Sequence, residues 1–225
     1  MPETVPYIDI HTHRPSHAAD VVSIFNLGLE QLRYYPSLPR YCSIGRHPWD
    51  ANEPWSEEQA HELERALDLP ECLALGEVGL DRVKGPDIGL QRTLLVEQLD
   101  AAVASGRPVI LHCVRAHADL LQLRKQRADT TPWIMHGFTG HGELAQQLLR
   151  MGFSLSFGAA LLSTGAKVRE ALTHVPLDRM FFETDESEAD VRAVYRGAAD
   201  VLGFPEAELR RTVFNNFQRC FGGER

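Results

Sequence analysis

The sequence predicts a single (β/α)8 barrel of the α/β class, a TIM-type parallel sheet, spanning residues 1–225. Three observations lead there. Eight short apolar runs recur along the chain, each closing on a polar or glycine-bearing end. A stretch with helical character follows most of them, and such alternation favours parallel strands. Ionisable residues gather at the C-terminal end of the runs, where barrels of this kind keep their reactive groups. An open α/β sheet is the competing architecture.

The runs are "YIDIHTH" from Tyr7, "VVSIFNLG" from Val21, "RYCSIGRHP" from Arg40, "CLALGEVGLD" from Cys72, "PVILHC" from Pro108, "WIMHGFTG" from Trp133, "FSLSFG" from Phe153 and "MFFETDES" from Met180. Almost nothing helical fits between His13 and Val21, so the barrel is expected to be slightly trimmed, its first crossover helix short or missing. The second crossover, around Leu29–Leu38, is thin as well. A helix follows Pro54 and Trp55, with Ser56 as candidate N-cap and glutamates in the first turn. Further helices are expected over Ile88–Ser105, His117–Arg127, Glu143–Met151 and Ala166–His174, then from Ser187 to Leu202 and from Pro205 to Phe221.

With 44% hydrophobic and 24% charged residues, the chain has the composition of a soluble globular protein with a sizeable core. Its formal net charge of −8 leaves no overall basic footprint for tight duplex binding. "RKQR" from Arg124 and the pair Arg210–Arg211 read as solvated helix faces. No apolar run reaches the length of a membrane span, so no membrane partner is expected. The opening "MPETVPYIDI" has neither a basic nor an apolar leader region, and the expected compartment is the cytoplasm. Cys42, Cys72, Cys113 and Cys220 show no CxxC spacing and read as reduced thiols. No obligate protein partner is indicated.

The chemistry lies in the strand ends. Side chains alternate along a strand, so His11 and His13 share one face and can chelate one cation. The third run adds His47, the fourth Glu77, the fifth His112, the sixth His136 and the eighth Asp185. Parity agrees: Leu73, Leu75 and Glu77 share a face, as do Ile110 and His112, and Phe181, Glu183 and Asp185. Cys113 falls on the opposite face from His112, which argues against a cysteine nucleophile. Four histidines and two carboxylates exceed the needs of one ion and suit two divalent metal ions with a bridging carboxylate. Glu77 is the expected bridge, with His11, His13 and Asp185 on one ion and His112 and His136 on the other. Such a pair would acidify a water and neutralise charge on an oxyanion or phosphate. Asp185 can also take the proton from that water. Histidine-rich coordination favours Zn²⁺, Mn²⁺, Fe²⁺ or Co²⁺ over Mg²⁺.

The pieces "DIHTH", "SIGRHPW", "LGEVGLD", "PVILHCVRA", "IMHGFTG" and "FFETD", in that order, resemble the TatD family of metal-dependent hydrolases, a branch of the amidohydrolase-like barrels. The segment "LQRTLLVEQLDAA" is similar too. The resemblance implies a metal-dependent phosphodiesterase, a deoxyribonuclease acting on the ends of single-stranded DNA, with Mg²⁺ among its metals. It implies His11, His13, Glu77, His112, His136 and Asp185 as metal ligands, with Glu77 and Asp185 catalytic. His47 and Arg115 match positions that contact phosphate. Asp9 and Glu183, inward by parity, are expected to orient ligands.

Two segments depart from the family pattern. Arg14–Pro15 stands where Leu-Asp and a longer connection are usual, and "ESEADVRAVY" replaces a proline-rich stretch after "ETD". The metal centre is therefore better supported than DNA as substrate. Hydrolysis of an ester, lactone or amide on the same site is the alternative, and a non-catalytic metal-binding protein a further one. His17, His61, His117, His141 and His174 are expected at the surface.

Overall fold

The computed structural model describes residues 5–222 except 15, 36, 54 and 164–166. In chain order its strands and α-helices are β1 (Tyr7–Thr12), β2 (Val21–Gly28), β3 (Cys42–Gly45), α1 (Glu57–Leu67), β4 (Cys72–Asp81), α2 (Ile88–Ser105), β5 (Val109–Val114), α3 (His117–Gln126), β6 (Trp133–Met135), α4 (Gly142–Arg150), β7 (Ser154–Phe157), α5 (Lys167–Leu172), β8 (Met180–Phe182), α6 (Val191–Leu202) and α7 (Glu206–Phe221). The strands belong to one parallel sheet whose order is the chain order. This is the strand succession of a (β/α)8 barrel, as expected. The trimming is real: the described residues of 13–20 carry no helix, and the second crossover is a 3-10 helix, Leu29–Tyr34.

Two boundaries differ from the expectation for identifiable reasons. Two strands are shorter than their apolar runs, β6 ending at Met135 and β8 at Phe182. The helix expected from Ser187 begins at Val191, because the Asp190 side chain accepts a hydrogen bond from the Arg192 N–H and fixes the start there. Pro54 and Ala166, at the expected edges of two helices, lie outside the described residues.

The described residues form two compact units, one from residues 1–25 and 136–225, the other from 26–135. In the first, β1 is buried at every position, polar residues included. Tyr195 of α6 holds it in place: its hydroxyl accepts from the Ile8 N–H and donates to the Ile8 carbonyl, both at 3.1 Å. β1 also meets the chain beyond β8, where the Asp185 N–H donates to the His11 carbonyl (2.9 Å) and the His13 N–H to the Asp185 carbonyl (3.2 Å). Pairing of β1 with β2 changes register between Asp9 and Thr12, at the level of His11.

In the second unit, β3 to β6 lie side by side, and α1 starts on a capping box in which Ser56 and Gln59 exchange hydrogen bonds. Two buried glutamines of α2 fasten the ends of the ligand-bearing strands. Gln98 exchanges hydrogen bonds with the backbone of Arg46 (2.7 and 3.0 Å). Gln91 accepts from the Asp81 N–H (2.7 Å) and donates to the carbonyls of Asp81 (2.9 Å) and Pro86 (2.8 Å). Leaving either buried amide unpaired would cost about 1–3 kcal/mol, so the strand ends are held firmly. Register between β4 and β5 shifts between Leu75 and Val78, beside Glu77. Such irregularities turn a side chain away from plain alternation.

Candidate metal centre

Each unit carries its own group of metal-capable side chains. In the first, His11 and His13 project from the end of β1 and meet Asp185. The Nε2 atoms of both histidines lie 3.5 Å from Asp185 Oδ1, and the three donor atoms fall within 4.8 Å of one another. His11 is fully buried, whereas His13 and Asp185 are 36% and 40% exposed, so the group opens to solvent on one side only. The alternation expected to aim Asp185 ends with β8 at Phe182. Asp185 is aimed instead by its left-handed backbone (φ 54°) and its paired hydrogen bonds to β1. Aspartate tolerates that conformation better than most residues.

The ring of His136, directly after β6, is centred 4.3 Å from the His11 ring and tilted 44° to it. Its Nδ1 lies 3.3 Å from Oε1 of the fully buried Glu183, which also accepts from the Gly137 N–H at 2.6 Å. A second set of three donors, His136, Glu183 and Asp185, is thereby formed in this unit. Asp9 lies behind. It accepts from the Thr184 N–H (3.0 Å) and hydroxyl (2.7 Å), and burial pushes its carboxyl up to about 7 against those bonds. The two segments that depart from the family pattern meet one another: Arg14 Nη1 pairs with Glu188 at 3.0 Å.

The second unit groups His47, Glu77 and His112. Glu77 is buried, with Oε1 2.7 Å from His112 Nδ1 and 3.4 Å from His47 Nε2. The Trp49 N–H donates to His47 Nδ1 (3.2 Å), so a neutral His47 carries its proton on Nε2. That makes His47 a hydrogen-bond donor rather than a metal ligand. His112 differs. Its Nε2 meets Asp81 Oδ2 at 3.2 Å, and with the proton held there, Nδ1 and Glu77 Oε1 are two acceptors facing each other. A proton or a cation between them removes the repulsion, and the donor set fits a divalent ion.

Asp81, which sequence reasoning missed, organises this group. It accepts from Trp49 Nε1 (2.7 Å) and the N–H groups of Val83 (2.7 Å) and Lys84 (2.9 Å) as well as meeting His112. Desolvation pulls its carboxyl upward, but the hydrogen bonds from Trp49, Val83, Lys84 and His112 together outweigh it and hold it below the usual range. The signal was present: Glu77, Gly79 and Asp81 alternate along β4. Gly79 itself (φ 155°) has no room for a side chain, since a Cβ would stand 2.0 Å from the His112 carbonyl oxygen. Arg115 is exposed just past β5, with a left-handed backbone (φ 53°). Burial pushes the Cys113 thiol up to about 12, which agrees with its exclusion as a nucleophile.

Comparison with known proteins identifies the family. The model of the "TatD related DNase" family matches residues 18–222. The uncharacterized metal-dependent hydrolase YcfH of Escherichia coli (strain K12) is 32% identical over 165 residues, 66% of this chain and 62% of YcfH. The chain thus spans under two thirds of that relative's length. A 3'-5' ssDNA/RNA exonuclease TatD from Edwardsiella piscicida is 32% identical over 162 residues, covering 69% of this chain and 62% of the exonuclease. Among solved structures, that of YjjV, a TatD homolog from Escherichia coli K12, superposes with a TM-score of 0.84 at 24% identity, over 99% of this chain and 100% of YjjV. That likeness shows a shared fold. With the family model matched across most of its length, the chain belongs to the TatD-related DNase family.

Proposed function

We propose that the chain is a divalent-metal-dependent phosphodiesterase, one hydrolase domain over residues 1–225, that acts on the ends of single-stranded nucleic acid. The ligand set is His11, His13, Glu77, His112, His136 and Asp185, holding two ions. The observation that carries this reading is the convergence of His11, His13 and Asp185 donor atoms within 4.8 Å, half buried and open to solvent on one side. Glu77 and His112 form a comparable pair in the other unit. The histidine content favours Zn²⁺, Mn²⁺, Fe²⁺ or Co²⁺, with Mg²⁺ at a looser position. The name of the Edwardsiella piscicida relative supports a nucleic-acid substrate, and the cytoplasm is the proposed compartment.

A bound divalent ion supplies charge neutralisation at the phosphate and a lowered water pKa. The chain does the rest. Asp185, partly exposed, accepts the proton of the attacking water. His47 offers its Nε2–H to a phosphate oxygen, and Arg115 adds positive charge from the end of β5. Asp81 holds His112 through Nε2, which leaves Nδ1 and Glu77 Oε1 as the pair that would hold an ion. Glu183 and Asp9 orient His136 and the chain after β8.

The test is metal analysis of untreated protein together with hydrolysis of single-stranded DNA, RNA and bis-nitrophenyl phosphate. Bound divalent metal and cleavage of phosphodiesters are the expected results. Turnover of carboxylic esters or lactones alone would overturn the reading.

A further inference from the structure

The loop after β4, residues 81–88, lines a pocket of about 350 Å³. Its rigidity is conspicuous for an exposed connection. Asp81 accepts three of the hydrogen bonds that shape it, and Gln91 clamps the carbonyls of Asp81 and Pro86 from beneath. Gly85 (φ 90°) packs directly on Trp49, where a Cβ would come within 3.0 Å of the Trp49 Cα. What this scaffold presents is Lys84. Its ammonium sits 3.2 Å from the centre of the Trp49 ring, and it forms no ion pair among the described residues. The neighbouring Arg82, by contrast, is taken up by a two-pronged pair with Asp119 at 2.7 and 2.8 Å. The Trp49 ring touches His47 (4.5 Å between centres) and lies 5.8 Å from His112. A fixed positive charge therefore stands one aromatic ring away from the groups that hold the scissile phosphate in the reading above.

We infer that Lys84, braced on Trp49 by the 81–86 loop, binds a second phosphate of a nucleic-acid strand, next to the one being cleaved. This rests on the phosphodiesterase reading and names the feature by which the site prefers a polymer to a small diester. In a chain of net charge −8, strand binding cannot rely on a diffuse basic surface, and individually placed cations must carry it.

The experiment measures binding and turnover separately. Binding of a fluorescent single-stranded oligodeoxynucleotide is followed by anisotropy in the parent, Lys84→Met and Lys84→Arg, across a salt series. Lys84→Met keeps the apolar stem on Trp49 and removes only the charge. It is expected to weaken binding roughly tenfold, and to flatten the slope of log affinity against log salt by about 0.7. Lys84→Arg is expected to restore most of both. In turnover, Lys84→Met should raise KM for the oligonucleotide with kcat nearly unchanged, and leave bis-nitrophenyl phosphate, which has one phosphate, unaffected. Unchanged affinity and salt slope in Lys84→Met, or no measurable binding by the parent, would overturn the inference. Lys84-dependent binding without any turnover would instead sink the phosphodiesterase reading and leave the subsite standing.

Discussion

The two donor groups solve one problem in different ways. In the unit of residues 1–25 and 136–225, two ligands come from a single strand as an HxH pair, and the third is tied to that strand by backbone hydrogen bonds. In the unit of residues 26–135, Glu77 and His112 come from neighbouring strands, with His47 beside them as a hydrogen-bond donor, and a further carboxylate, Asp81, holds the group through His112 and Trp49. The first group is assembled by backbone geometry and the second by side-chain hydrogen bonds. A group of the first kind should fail abruptly, when a ligand is lost. One of the second kind should also weaken by degrees, as its supports are removed.

The largest effect should come from Asp185→Asn, which keeps the side chain's size and removes the proton acceptor. Phosphodiester turnover is expected to fall by at least about a hundredfold, with an unchanged circular dichroism spectrum. Glu77→Ala should also abolish hydrolysis, and metal analysis should show fewer bound equivalents while the His11–His13–Asp185 group retains its ion. Equal loss from both groups would break the comparison.

Stripping metal with a chelator comes next. An ion present at about a hundred times its dissociation constant adds about 2.7 kcal/mol to stability, so the melting temperature should drop by roughly 5–11 °C. Asp81→Asn should then weaken metal binding about 10–100-fold without changing the stoichiometry at saturation, read by titration with a competing chelator. At the small end, His174→Ala, which removes a surface pair with Glu170, should leave turnover unaltered and shift stability by no more than about 0.5 kcal/mol.

The strand order and the missing first helix were legible because apolar runs and their spacing are local signals. So was the pairing of His11 with His13, although β1 ends at Thr12 and His13, one residue beyond it, is fixed by its hydrogen bond to the Asp185 carbonyl. Asp185 was found for an incomplete reason: the residue is right, but β8 stops three positions earlier and the aim comes from a backbone turn that parity cannot describe. Asp81, Gln91 and Gln98 escaped notice because polar residues at a strand end or on a helix are ordinarily assigned to solvent. Their burial depends on which backbone groups lie opposite, and that is a tertiary fact. His47 shows the same limit. Its position was legible, but its protonation pattern needed the Trp49 N–H.

The interleaving of the chain between its two units also sets an order of assembly during translation. Residues 26–135 emerge as one contiguous stretch and can begin to make their own contacts before residue 136 is added. The amino-terminal strand cannot, because Tyr195 and the segment around Asp185 are made last. At about 5–20 residues per second, on the order of ten seconds pass before residue 136 follows residue 25 out of the ribosome. Throughout that interval Ile8 and Ile10 are without α6 and α7, which pack on their strand in the finished fold and leave both residues fully buried.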